Sequence, residues 1–213
     1  MNKINYQKRL DALIDGLNGE TPTLLLHSCC APCSSYCIEY LSQYFKITVF
    51  YYNPNLYPDE EYTRRSAEQK RLISEMITKH PVDYIDEDFD SSQFYSAVKG
   101  FEKEPEGGLR CKKCFELRLG RTAQKAAELG FDYFATTLTI SPLKNEQLLN
   151  ETGILMAEKY GSAWLPSDFK KKNGYKRSIE LSREYSLYRQ NYCGCVFSHT
   201  HTDLLTDKPT KKL

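Results

Sequence analysis

The chain has 213 residues, 40% of them hydrophobic, enough to bury a full core in one domain without disulfide support. Lys and Arg number 29 against 28 Asp and Glu; a formal net charge of +1 excludes a polycation that binds nucleic acid through bulk charge, so any basic surface must be local. The opening MNKINYQKRL lacks the apolar core of a signal peptide, and no run reaches the roughly eighteen apolar residues of a spanning helix, which predicts a cytoplasmic chain with no membrane partner. In that reducing compartment eight cysteines point to metal binding or redox chemistry rather than a structural disulfide framework.

In chain order, INYQKRLDALIDGL has its apolar positions at helical spacing and predicts a lead-in helix within residues 1–20. TPTLLLHS is a short apolar strand, after which Ser34 or Ser35 is placed to cap a helix running to about Phe45. KITVFYYN, β-branched and aromatic, predicts a second strand, and PNLYPDEEYTRRSAEQKRLISEMITKH a turn, an acidic first turn and a long helix. VDYID predicts a third strand, and a helix near 90–99 leads into the loop EPEGGLR. CKKCFELRLGRTAQKAAELG is helical and ends at Gly130, where a left-handed C-terminal residue is expected. FDYFATTLT predicts a fourth strand, NEQLLNETGILMAEKY a helix, and roughly 175–190 another, with a flexible tail over 199–213. There is no repeat and no long linker. Strands alternating with long helices argue for one α/β domain over 1–213 with a mostly parallel sheet, in which ligands sit outside the carboxyl ends of the strands.

The segment HSCCAPCSSYC lies just there, after the first strand, and TTLTISPLKN lies after the fourth. Three thiol groups stand out: Cys29-Cys30 with Cys33 and Cys37, Cys111-x-x-Cys114, and Cys193-Gly-Cys195. Structural zinc prefers two knuckles each bending round one ion. The side chains of adjacent cysteines diverge, which suits separate corners of an iron–sulfur cube better than one tetrahedral ion. Cys111 and Cys114, three apart at a helix start, share a face where the helix dipole favours thiolates; two half-buried helix cysteines is the alternative. For Cys193 and Cys195 the spacing permits only a small, strained disulfide ring, made feasible by the intervening glycine and easily reduced, which suits two-electron exchange; a plain metal-ligand pair is the alternative.

DFKKKNGYKR places five cations and a tyrosine in ten residues, supported by KPTKKL at the C-terminus. It reads either as a solvated loop or as a phosphate-contacting patch.

The blocks HSCCAPCS, YYNPNLYPDEEYTRR, GLRCKKCFELRLGRTA, FATTLTISPLKN, DFKKKNGYKRSIELS and YRQNYCGCVFS, in order from about residue 23 to 198, together resemble the QueH-type epoxyqueuosine reductases. The resemblance implies the last step of queuosine biosynthesis, reduction of the epoxide of epoxyqueuosine at a tRNA wobble position, on a HUP-like fold. It implies Cys29, Cys30, Cys111 and Cys114 as ligands of a 4Fe-4S cluster and Cys193 and Cys195 as a redox-active pair. It also allows additional non-cluster iron, to which Cys33, Asp168 or His27 would contribute; Cys37 is a bystander. Asp168 or a tyrosine is the expected acid for the leaving oxygen. Because HSCCAPCS stands where ATP-using relatives of the fold carry a glycine-rich phosphate loop, no ATP is expected, and nothing in the chain provides for cobalamin. For a tRNA loop, stacking on aromatics and phosphate contacts point to Lys170, Lys171, Lys172, Tyr175, Lys176, Arg177, Arg64 and Arg65. The electron donor is not identified. The rival readings are a thiol-disulfide oxidoreductase or tRNA sulfurtransferase on the same fold, and a zinc-stabilised RNA-binding module.

Overall fold

A computed structural model describes residues 3–190 and 192–198. Its elements are α1 (Tyr6–Asp15), β1 (Thr23–His27), α2 (Ala31–Leu41), β2 (Lys46–Tyr51), α3 (Asp59–Glu75), β3 (Val82–Asp86), α4 (Ser91–Ala97), α5 (Leu109–Leu129), β4 (Tyr133–Thr136), a 3-10 turn (Thr137–Ile140), α6 (Glu146–Tyr160) and α7 (Gly174–Glu184). The four strands form one sheet in the order β3-β2-β1-β4, every pairing parallel. This is the expected single α/β layer system, with no described helix long and apolar enough to cross a membrane.

The central strand β1 is buried on both faces, which is what a continuous apolar run serves. Successive side chains point to opposite faces. Leu24 and Leu26 therefore enter one core, with Leu10, Ile38, Leu41 and Leu72 from α1, α2 and α3. Leu25 enters the other, with Leu119, Ala123, Leu149 and Met156 from α5 and α6. All three leucines are fully buried, each contributing about 1.5–3 kcal/mol relative to exposure.

The chain lays down β1, β2 and β3 in one direction and then returns to place β4 on the other side of β1. The carboxyl ends of β1 and β4 are thus the topological switch point, where connections diverge and leave a crevice.

Four expectations about element ends are corrected. Ser34 and Ser35 do not cap α2; they are buried inside it, and Cys30 occupies the N-cap in extended conformation, with Pro32 in the first turn of the helix. Proline fits there because the first helical N–H groups have no intrahelical partner. The helix stops at Leu41 and α7 stops at Glu184, both short of the expected ends. The fourth strand closes at Thr136, where the Thr136 hydroxyl accepts from Leu138 N and turns the chain into the 3-10 segment. Gly130 does end α5 with φ 72°. The lead-in helix covers Tyr6–Asp15 of the expected 1–20, and the tail 199–213, with KPTKKL, lies outside the described residues.

Candidate active site at the sheet switch point

The turn after β1 is fixed from beneath. Gln69 of α3 is fully buried, and its Oε1 accepts from Ser28 Oγ at 2.7 Å and from Ser34 Oγ at 2.5 Å. Asn53, after β2, donates from Nδ2 to Ser28 O at 2.8 Å. Held this way, the Sγ atoms of Cys29, Cys30 and Cys33 lie within 4.8 Å of one another, the spacing of ligands to a single ion. Cys29 is drawn well below the ordinary thiol range by hydrogen bonds from Cys30 and Cys33, against burial and with help from Arg118. Cys30 is pushed up to about 12 by the negative Cys29 beside it, and Cys33 rises for the same reason. One thiolate shared among three sulfurs at a helix N-terminus is a soft-metal site in waiting. Cys37 is fully buried in the apolar core and donates to Cys33 O at 3.3 Å.

Cys111 and Cys114 sit in the first turns of α5, both buried. Their neighbours are Cys195, which packs with Cys114, Phe94 and Val98, and Cys193. All four cysteines line one small pocket of about 20 Å³. The wider cavity next to it, about 410 Å³, is lined by Cys29, Cys30, Cys33 and Cys193. Arg118, Lys144 and Cys193 line both spaces and join them.

Arg118 and Lys144 were not singled out in the sequence. Arg118 lies one helical turn beyond Cys114, the spacing that puts it on the same face of α5, and Lys144 follows the 3-10 turn after β4, at the strand ends where ligands gather. Burial opposes the charge of Arg118, but Cys114, Cys29 and Cys193 around it keep the guanidinium protonated. Lys144 Nζ is 3.2 Å from Cys193 Sγ and 3.1 Å from Glu106 Oε1. Cys193 is held at about 5 by a hydrogen bond from Cys195 and, despite burial, by the Lys144 ammonium; Cys195 is pushed up by its hydrogen bond to Cys193 and by burial.

Both ring nitrogens of His27 are engaged within the protein: Nε2 lies 3.3 Å from Arg118 Nε and 3.2 Å from the Tyr52 carbonyl oxygen, and Nδ1 lies 2.8 Å from Thr136 Oγ1. Burial, followed by the Arg118 charge, lowers this imidazole to about 3 and keeps it neutral. Asp168 is buried 3.3 Å from Lys170 Nζ and is not among the residues that line the cavity.

The basic candidates divide. Lys170 pairs with Glu146 at 3.2 Å, Lys172 with Asp11 at 2.6 Å, Arg177 with Glu39 at 2.6 Å, and buried Arg65 with Glu61 at 2.6 Å. Arg64 stacks 3.3 Å over the Tyr188 ring. Lys171 and Lys176 are exposed with no ion pair among the described residues. Tyr175, also exposed, lines the cavity together with Arg65.

A parallel α/β sheet with two cysteine sets at its switch point defines the class: an α/β protein whose candidate site is built from thiols and the cations between them. The family model described as Epoxyqueuosine reductase QueH matches residues 24–201. The relative of that name from Streptococcus pyogenes serotype M1 is 48% identical over 200 residues, covering 92% of this chain and 78% of the relative. That from Staphylococcus epidermidis is 47% identical, covering 92% and 85%, and that from Thermotoga maritima 38% identical, covering 83% and 90%. The chain belongs to the QueH family of epoxyqueuosine reductases.

Proposed function

We propose that this chain is a cytoplasmic oxidoreductase that reduces the epoxide of epoxyqueuosine in tRNA to the alkene of queuosine. The observation that carries the reading is the meeting of two cysteine sets across Arg118 and Lys144, at the wall of one cavity, in a QueH-family chain.

Opening an epoxide to an alkene consumes two electrons and two protons and releases water. Oxidation of the Cys193 and Cys195 pair to a disulfide supplies both electrons and the Cys195 proton, and the second proton comes from an acid at the cavity wall; an external electron donor then restores the pair. Cys29, Cys30, Cys111 and Cys114 would hold a 4Fe-4S cluster supplying single electrons, and Cys33 a further iron able to polarise the epoxide oxygen. The donor set fits such a group: buried thiols, one already favoured as thiolate, and a buried guanidinium that offsets accumulated negative charge. For the proton delivered to the leaving oxygen, Tyr192, which lines the cavity, is favoured over Asp168, which does not. The tRNA loop would approach over Tyr175, Lys171 and Lys176. The reading needs neither ATP nor cobalamin.

The close Cys29/Cys30/Cys33 triad also favours, as a second reading, a single zinc ion in an RNA-binding module. Anaerobic purification with iron, sulfide and zinc counts, followed by nucleoside mass spectrometry on epoxyqueuosine-containing tRNA with a strong reductant, separates the two. About four irons and four sulfides with conversion to queuosine supports the reductase; a colourless chain that keeps one zinc after attempted cluster reconstitution and converts nothing sinks it.

A further inference from the structure

The two thiols of the Cys193-Gly194-Cys195 turn occupy unlike places. Cys193 lines both the large cavity and the small pocket, whereas Cys195 lines only the pocket that holds Cys111 and Cys114. The turn is held in this orientation on every side. Cys193 N donates to Ser198 Oγ at 3.1 Å, Ser198 N donates to Cys195 O at 3.0 Å, and Tyr57 N donates to Gly194 O at 2.9 Å. Gly194 has φ +94°, and a Cβ there would meet Leu56 at 2.7 Å and the Arg65 guanidinium at 2.9 Å, so only glycine lets the turn sit this low.

On the cavity side of that turn stands the Lys144 ammonium, with the Arg118 guanidinium lining the same two spaces. The Lys144 side chain is 10% exposed, clamped by Glu106 Oε1 at 3.1 Å, with Nζ 3.2 Å from Cys193 Sγ. Glu106 is itself tied to the turn through Ser198 Oγ, 3.5 Å from Oε2. A cation this close to one sulfur stabilises its anionic form and makes that sulfur the nucleophile of a pair.

Resting on the proposed function, we infer that Lys144 is the positioning residue that polarises the thiol pair: it makes Cys193 the cavity-facing sulfur that reacts first and leaves Cys195 to close the disulfide on the Cys111/Cys114 side. The exchange keeps its balance, since two electrons and the Cys195 proton leave the pair, one S–S bond forms, and the second proton taken up by the epoxide oxygen comes from the acid at the cavity wall.

The test needs no substrate. The full chain, purified anaerobically, is treated at neutral pH with limiting iodoacetamide, the thiolate displacing iodide to form a C–S bond, and fragment-ion mass spectrometry reads Cys193 and Cys195 separately. Cys193 is expected to react about tenfold faster than Cys195, and Lys144→Met to slow Cys193 by about tenfold while leaving the Cys195 rate unchanged. Slowing by about threefold or more supports the inference. A smaller slowing, or Cys195 reacting as fast as Cys193 in the unmodified chain, overturns it; if Lys144→Met fails to fold, the ratio in the unmodified chain decides alone. A chain that fails to reduce epoxyqueuosine yet shows this labelling order refutes the proposed function and leaves the polarity of the pair standing.

Discussion

Arg118 Nε donates to His27 Nε2 at 3.3 Å while its Nη2 donates to Asn53 Oδ1 at 2.6 Å, so one buried guanidinium from α5 locks the last residue of β1 to the loop after β2. The same charge faces Cys29, Cys114 and Cys193. Structure and chemistry therefore meet in one side chain.

Arg118→Met leaves Asn53 Oδ1 without its donor and removes the guanidinium contact with His27 Nε2. The loss is expected to be about 1–3 kcal/mol, from one stranded buried acceptor, read as a lower urea midpoint with unchanged slope. Arg118→Lys keeps the charge but not the fork, so it should recover only part of this stability. A midpoint unmoved by Arg118→Met would mean that the network contributes nothing.

His27 makes the fold acid-sensitive. Its folded-state value is lowered to about 3 by burial and then by Arg118, against about 6.5 in an unfolded chain. Above about 6.5 neither state binds the proton and the full stability is present; as pH falls from about 6.5 towards 3, the unfolded chain binds it and the folded one does not, so stability declines, at up to about 1.4 kcal/mol per pH unit. Urea midpoints at pH 7.5, 6.5, 5.5 and 4.5 should show this slope, and His27→Gln should remove most of it.

Gly194→Ala places a methyl group against Leu56 and Arg65 at a positive φ. The expected cost is about 1–3 kcal/mol of local strain, with displacement of Cys193 from Lys144. Conversion of epoxyqueuosine to queuosine, followed by nucleoside mass spectrometry, should fall at least about tenfold. Activity equal to the unmodified chain would show that the turn need not sit where it does.

Glu61→Ala leaves the Arg65 guanidinium buried and unpaired, since its 2.6 Å partner is removed. Removing one member of a buried ion pair costs about 3–5 kcal/mol. Thermal unfolding of this variant beside Arg65→Met, which removes the charge as well, should show the first to be the less stable.

Among the basic residues, Lys171→Ala and Lys176→Ala should each weaken tRNA binding and shallow its salt dependence by about one phosphate contact, with thermal stability unchanged. Lys172→Ala and Arg177→Ala, which break the ion pairs with Asp11 and Glu39, should change affinity less. Titrations of tRNA at two salt concentrations distinguish the pairs; equal effects at all four positions would dissolve the division.

Much of this protein was determined by local sequence. LLL followed by β-branched and aromatic runs at helix-length intervals dictates a parallel α/β sheet, because strands buried on both faces need continuous apolar residues and parallel neighbours need crossover helices. The three cysteine groups were equally legible, since thiol spacing is a local property. The tertiary structure alone decided how they combine. Nothing in the spacing says that Cys193 and Cys195 come to rest beside Cys111 and Cys114, some eighty residues earlier. Nor does a run such as DFKKKNGYKR show that Lys170, Lys172 and Arg177 are spent on Glu146, Asp11 and Glu39, because the acidic partners come from α6, α1 and α2. Arg118 and Lys144 were hidden for the same reason. An arginine on a helix and a lysine in a loop look solvent-bound until the fold buries them, and their charges acquire meaning only from the thiols that the sheet's change of direction brings to them.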